Sequence, residues 1–327
     1  MVEINNLEDL KKSIEENPSM INEFKYKHII FKNDIRTYNI YMYVCMSGTP
    51  EMLKYLETHM SNIKEFKDER KTDSYLIASS SGNLEVMKYL EKEHNWSSNV
   101  KTNSGDDAYL LASINGQLEI MKYLEKEHNW DTHVKDKHGD DAYLLASYNG
   151  QLEIMKYLEK EHNWDIRVKN NTGMDAYLYT SFNGQLEIMK YLEKEHNWDI
   201  HVKNKYGDDV YLFASFVGQL EIMKYLEKEH NWDIHVKNNN GYDAYFLAAY
   251  TGHLEIMKYL DEIHNWEFHD YEFEIENEEI LKYLNKIKFK KNMKNIKKNS
   301  HNECIICLEN FNKMMSYVNA QMDIRFI

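Results

Sequence analysis

Three residues near the C-terminal end, His301, Cys304 and Cys307, stand at the spacing of metal ligands, one imidazole followed by two thiols. Zinc takes about four such ligands at roughly 2.0–2.3 Å. Neither cysteine nor histidine follows Cys307, so the fourth position falls to water or to another chain, and the expectation is that no metal is held. A second histidine set recurs every 34 residues: His94, His128, His162, His196, His230 and His264. Residues at so regular a spacing lie on successive stacked units, about 10 Å apart as packed helices are, too far to converge on one ion. They are expected to be structural, as are the recurring Tyr143, Tyr157 and Trp164 positions, whose rings bury large areas between neighbours. A third set, Lys282 to Lys298, holds eight lysines and no acid in a chain of net charge −14. Phosphate binders interleave lysine with arginine, glycine and aromatic rings, so this run is expected to be a solvated helix leading into a linker, and nucleic acid is not an expected partner. There is no G-x-S-x-G, no glycine-rich phosphate loop and no paired-carboxylate site outside repeated faces. Neither an enzymatic activity nor a cofactor is expected.

The elements that carry these residues repeat. Gly139 to Thr172 has near-copies on both sides at a period of 34 residues, and all six tryptophans and all twelve glycines obey that period. Such a period marks a stacked array in which each unit touches its neighbours. Within the unit, Asp141 is an N-cap for a short first helix over Ala142 to Ser147, stopped by Gly150 as a φ > 0 C-cap. A second helix runs from about Leu152 to Glu161. Its Leu152, Ile154, Met155, Tyr157 and Leu158 share one face, and Glu153, Lys156, Glu159 and Lys160 take the other. Helices this short do not persist alone in water, so stacking must supply the core. Asn170, Asn171 and Gly173, with the β-prone Ile166 to Val168, predict a hairpin-like projection between units.

Helix, glycine, helix and projecting turn, with GQLEIMKYLEK on the second helix, resemble an ankyrin repeat over roughly residues 37 to 289. The resemblance implies a mainly α, helix-turn-helix solenoid with short projecting turns that binds other proteins. Two departures stand out. Asp141-Ala-Tyr-Leu144 replaces the family's T-P-L-H, so aspartate caps the first helix, and the extra residue of a 34- rather than 33-residue period is placed in the His162-Asn163-Trp164 loop. A tetratricopeptide array shares the period but has two longer helices and no projecting turn. The wording, rich in Asn, Lys, Ile and Tyr, also resembles the ankyrin proteins numerous in giant DNA viruses of amoebae. The run from His301 to Phe311 resembles the opening of a RING zinc finger that lacks its remaining ligands. Relatives with a complete finger would be ubiquitin ligases, and this chain would keep their substrate-choosing part.

Organisation follows from the repeats. Residues 1–36 are expected to be a helical N-terminal cap and residues 37–270 about seven repeats, the first degenerate. Residues 271–289 are expected to be a C-terminal half-repeat, and 290–327 a basic tail with the CxxC. There is no signal-peptide-like run and nothing near the ~18 apolar residues of a membrane span. Three cysteines, Cys45, Cys304 and Cys307, do not make a disulfide scaffold, which fits a reducing compartment. An intracellular, cytoplasmic monomer with a protein partner and no membrane is the expectation.

Comparing repeats within the chain locates the partner-facing positions. MKYLEKEHNW recurs unchanged from Met121 to Trp232, while differences gather at the turn tips, at the residue after the turn glycine and at the pair before the first-helix glycine. In the ankyrin family these are contact positions. The candidates are Lys205 and Tyr206 at a tip, Met174, Asp208 and Tyr242 after the glycine, and Phe182, Phe216 and Tyr250 before the next one. Their aromatic character grows toward the C-terminal half, and the contact patch is expected over residues 173 to 252.

Overall fold

Aspartate opens the first helix in six consecutive units. In the computed structural model, which describes residues 6–18, 26–29, 35–59, 73–96, 100–264 and 277–287, the carboxylates of Asp73, Asp107, Asp141, Asp175, Asp209 and Asp243 accept backbone N–H groups of the turn that follows. The chain forms two compact units, Met1–Ile256 and Met257–Ile327.

The first unit begins with α1 (Leu7–Glu16) and a two-stranded antiparallel ribbon, β1 (Tyr26–Ile29) and β2 (Ile35–Tyr38); its N-terminal segment thus contains strands as well as a helix. Paired helices follow. The first members are α2 (Ile40–Ser47), α4 (Ser74–Ser81), α6 (Ala108–Ile114), α8 (Ala142–Asn149), α10 (Ala176–Asn183), α12 (Val210–Val217) and α14 (Ala244–Thr251). The second members are α3 (Pro50–Glu57), α5 (Leu84–His94), α7 (Leu118–His128), α9 (Leu152–His162), α11 (Leu186–His196) and α13 (Leu220–His230), with α15 (Leu254–His264) beginning in this unit and ending in the next.

The first helices are buried on nearly every side, as α8 shows with Ala142, Tyr143, Leu144, Ala146 and Ser147. They are also stitched together, since Ser79, Ser113, Ser147 and Ser215 each donate to the carbonyl that opens the next first helix. Gly150 ends α8 at φ 82 and Asn163 ends α9 at φ 47. Both are left-handed, a conformation glycine and asparagine tolerate best. The chain thus leaves the second helix through an αL asparagine in the His162-Asn163-Trp164 loop.

The projections are four-residue turns closed by paired bonds, such as Asn170 N to the Met174 carbonyl (2.9 Å) and Gly173 N to the Asn170 carbonyl (3.0 Å). Ile166 to Val168 precede the projection in an irregular turn. The Asn170 side chain, accepting from Thr172 N and Met174 N, shapes the tip. Successive tips are joined by backbone bonds from Lys137 to Ser104, Asn171 to His138, Lys205 to Thr172 and Asn239 to Tyr206, at 2.9–3.0 Å.

The second helices carry a polar ladder. Glu193 accepts from Tyr177 Oη of its own repeat at 2.7 Å, from Tyr225 Oη of the next at 2.6 Å, and bonds His230 Nε2 at 3.1 Å. Glu57, Glu91, Glu125 and Glu159 accept the equivalent tyrosines at 2.6–2.8 Å. The sequence placed Glu159 on the solvent face. It is instead an acceptor for Tyr143 and Tyr191, its side chain 15% exposed, because the tyrosines of two helices converge on the edge of that face and bring donors with them. Burial, reinforced by the hydrogen bond to glutamate, pushes the phenols of Tyr75, Tyr109, Tyr143 and Tyr177 well above the usual tyrosine range.

In the second unit, residues 278–287 are helical and Tyr283 Oη donates to Asp261 Oδ2 at 3.0 Å. Among the described residues no helix is long and apolar enough to cross a membrane.

Candidate partner-binding cleft

Two consecutive repeats, those built on α12 and α14, enclose a cleft of ≈ 370 Å³. Its walls come from two turn tips and two first helices. Tyr206 and Asp208 belong to one turn, Asn238, Asn240 and Tyr242 to the next, Leu212, Phe213 and Phe216 to α12, and Phe246, Leu247 and Tyr250 to α14. Local chemistry places each part. Asn204 Oδ1 accepts Tyr206 N and Asp208 N, and Asn238 Oδ1 accepts Asn240 N and Tyr242 N, so both tips are held from within by one asparagine. Asp209 and Asp243 then start the helices that bear the rings.

Five of the eight residues selected from sequence line this cleft: Tyr206, Asp208, Phe216, Tyr242 and Tyr250. Tyr206 is 56%, Phe216 36% and Tyr250 63% exposed, and these are the large apolar or aromatic side chains left uncovered among the described residues of the first unit. Lys205 lies beside the cleft with its ammonium donating to the Asn171 carbonyl at 2.7 Å. The remaining two are placed elsewhere. Met174 is 6% exposed and lies in the core, not on a contact surface; its backbone closes the preceding projection and the side chain turns inward. Phe182 is half-buried between Tyr148 (5.5 Å between centroids) and Phe213 (6.2 Å), so its ring faces two neighbouring repeats. Tyr242 lies 4.2 Å from Phe246 of its own repeat, which is 5.9 Å from Tyr250.

Asn240, at a variable turn tip, lines the cleft too, as do Leu212, Phe213, Asn238, Phe246 and Leu247, which are not among the sequence candidates. A signal existed for two of them. Phe246 takes the place of Leu144, Leu178 and Leu212, and Phe213 that of Leu145 and Tyr179, inside helices otherwise nearly constant. They were hidden by being apolar at core positions.

The remaining candidates can be placed briefly. His301, Cys304 and Cys307, the lysines beyond Ile287 and Trp266 lie outside the described residues. Among the described residues no group of three or more His, Cys, Asp or Glu is arranged to hold a metal ion. Of the additional histidines, His133 stacks on Trp164 (4.5 Å, 22°) and His201 on Trp232 (4.9 Å, 25°), and Arg167 covers Trp198 at 4.8 Å. They clasp successive repeats.

A family profile described as Ankyrin repeats (3 copies) matches residues 41–136, 75–172, 109–204 and 178–267. Among solved structures the chain is similar to the one titled "Bd0816 Predatory Endopeptidase from Bdellovibrio bacteriovorus in complex with immunity protein Bd3460", at 18% identity over 61% of this chain and 100% of that chain, with a TM-score of 0.44. No curated protein sequence matches the chain.

Proposed function

The chain belongs to the ankyrin repeat family, and from that premise we propose that it is a non-enzymatic scaffold that binds a partner protein through the turn tips and first-helix face around Tyr206, Phe216, Tyr242 and Tyr250. Ankyrin repeats are protein-interaction modules, and a stacked array offers an extended surface to a partner. The observation that carries the reading is the clustering of uncovered aromatic side chains. Tyr206, Phe216 and Tyr250, scattered over 45 residues of sequence, line one cleft. Such rings are what binding hot spots are made of, with truncation to alanine commonly costing about 2 kcal/mol or more. Elsewhere the described surface of the second helices is charged, with pairs such as Lys160–Glu161 and Lys228–Glu229.

The test is affinity capture with the full chain, identification of the retained protein, and comparison with the Tyr206→Ala/Tyr250→Ala double variant and with Lys160→Ala as control. Both tyrosines are more than half exposed, so the double variant should melt as the parent does while losing the partner. Undiminished retention by a normally melting double variant would remove the cleft as the binding surface. The ubiquitin-ligase reading draws on the run from His301 to Phe311, which holds His301, Cys304 and Cys307. A ubiquitin-transfer assay with and without residues 290–327 separates the two readings.

A further inference from the structure

Asp208 occupies the register that Asp140 holds two repeats earlier, and the two carboxylates are satisfied differently. At Asp140, Asn170 Nδ2 donates at 2.9 Å and the Tyr179 hydroxyl lies 2.9 Å from both oxygens. That carboxylate is buried, 5% exposed as a residue, and closed by neutral donors. At Asp208, Asn238 Nδ2 takes the place of Asn170 at 2.8 Å and Asn204 Nδ2 reaches the other oxygen at 3.2 Å. The residue in the register of Tyr179 is Leu247, which has no donor. A carboxylate offers about four acceptor positions, and each of the two receives two donors, but Asp140 is buried whereas Asp208 is half-buried and keeps its remaining acceptor capacity in the wall of an aromatic cleft. Among the described residues no lysine, arginine or histidine lines that cleft, and the ammonium of neighbouring Lys205 is held by the Asn171 carbonyl.

We propose that the cleft recognises an arginine side chain presented by a basic segment of the partner, the guanidinium meeting the Asp208 carboxylate between the rings of Tyr206, Tyr242 and Tyr250. This rests on the reading of the cleft as the partner-binding surface and names the chemistry it selects. A guanidinium is planar, weakly hydrated and stacks on aromatic faces, and its donor fork matches the two oxygens of one carboxylate. The cleft supplies both halves of that recognition. An aliphatic side chain would use the rings and leave the carboxylate desolvated, at a cost. A net charge of −14 draws basic segments toward the chain before contact.

The experiment uses the full chain and four otherwise identical Gly-Ser peptides with a central arginine, citrulline, lysine or leucine, titrated while the side-chain NMR signals of the cleft are followed. Citrulline has the shape of arginine without its charge. The arginine peptide should bind about tenfold more tightly than the citrulline one, and more weakly as salt is raised. Asp208→Asn should remove that preference. Leu247→Tyr, which installs the hydroxyl found at Tyr179, should close the carboxylate and lower arginine binding about tenfold in a protein that melts no lower than the parent. Equal binding of arginine and citrulline, tightest binding of leucine, or no binding of any peptide would overturn the arginine assignment. If the natural partner is then still lost from Tyr206→Ala/Tyr250→Ala, the binding-surface reading survives without it; if the partner is retained, that reading fails as well.

Discussion

Replacing Glu193 by alanine should destabilise the array far more than its place on a charged helix suggests. Glu193 receives Tyr177 Oη at 2.7 Å, Tyr225 Oη at 2.6 Å and His230 Nε2 at 3.1 Å, linking α10, α11 and α13. Tyr177 is among the largest fully buried side chains, so its hydroxyl loses its partner with no water to replace it, a cost of about 1–3 kcal/mol. Tyr225 and His230 are half-buried and can turn to solvent, adding roughly 0–1 kcal/mol each. The total is about 1–5 kcal/mol. At roughly 2–4 °C per kcal/mol for a large domain, Tm should fall by roughly 2–20 °C. Glu193→Gln keeps one acceptor oxygen but sets donor against donor, and should lie between. The control is Glu195→Ala, whose side chain is 53% exposed and pairs with Lys194 at 3.4 Å; such surface pairs are worth about 0–1 kcal/mol. Equilibrium urea unfolding with paired thermal melts measures all three. If Glu193→Ala fell within about 0.5 kcal/mol of Glu195→Ala, the ladder would be a geometric coincidence and not a source of cohesion.

Other perturbations test other links. At Asn163, φ 47, alanine should cost about 1 kcal/mol while glycine stays near the parent, compared by urea midpoint. Gly150→Val should be worse: φ is 82, and a Cβ there would stand 2.6 Å from Gln185 Oε1, so loss of about 2 kcal/mol or more is expected in thermal melts. Asp141→Ala should cost about 1 kcal/mol of cap energy, whereas Asp141→Asn, which keeps the acceptor and removes a charge disfavoured by burial, should stay within about half of that. For pH, the buried ladder phenols have folded values above their unfolded value of about 10. Their contribution is therefore fully present below pH ~10 and is lost as pH rises beyond it. Tm should drop steeply above pH ~10, and Tyr177→Phe should make that drop shallower.

Much of the fold could be read from sequence because its signals are local. Asp141 before a small-residue helix, Gly150 after it and the apolar face from Leu152 to Leu158 each fix a backbone conformation within a few residues of themselves, and the 34-residue period copies that grammar. The polar ladder could not be read in the same way. Glu193 lies 16 residues from Tyr177 and 32 from Tyr225, and helical periodicity alone sends it to water. Only the crossing of two repeats brings three donors to one carboxylate. The cleft was partly legible, through the changes at Tyr206, Phe216, Tyr242 and Tyr250. Met174 shows the limit, since a variable position after a turn glycine takes a partner or the core according to which way the side chain turns, and a thioether turns inward at no polar cost.

The ladder also bears on why variation gathers where it does. Each glutamate serves hydroxyls from its own repeat and the next, so Glu159 is tied to Tyr143 and Tyr191, and Glu193 to Tyr177 and Tyr225. A change at any one of these residues strands a donor or acceptor in a neighbouring repeat, and the strain cannot be relieved inside the repeat that changed. Identical second helices are the arrangement in which every rung is satisfied. No such coupling holds Tyr206, Phe216 or Tyr250, whose side chains are exposed, nor the register shared by Tyr179 and Leu247, where losing one hydroxyl opens one carboxylate to the cleft. The freedom to vary is thus confined by the packing to the face that carries the cleft, and a partner can be selected there without disturbing the stack that presents it.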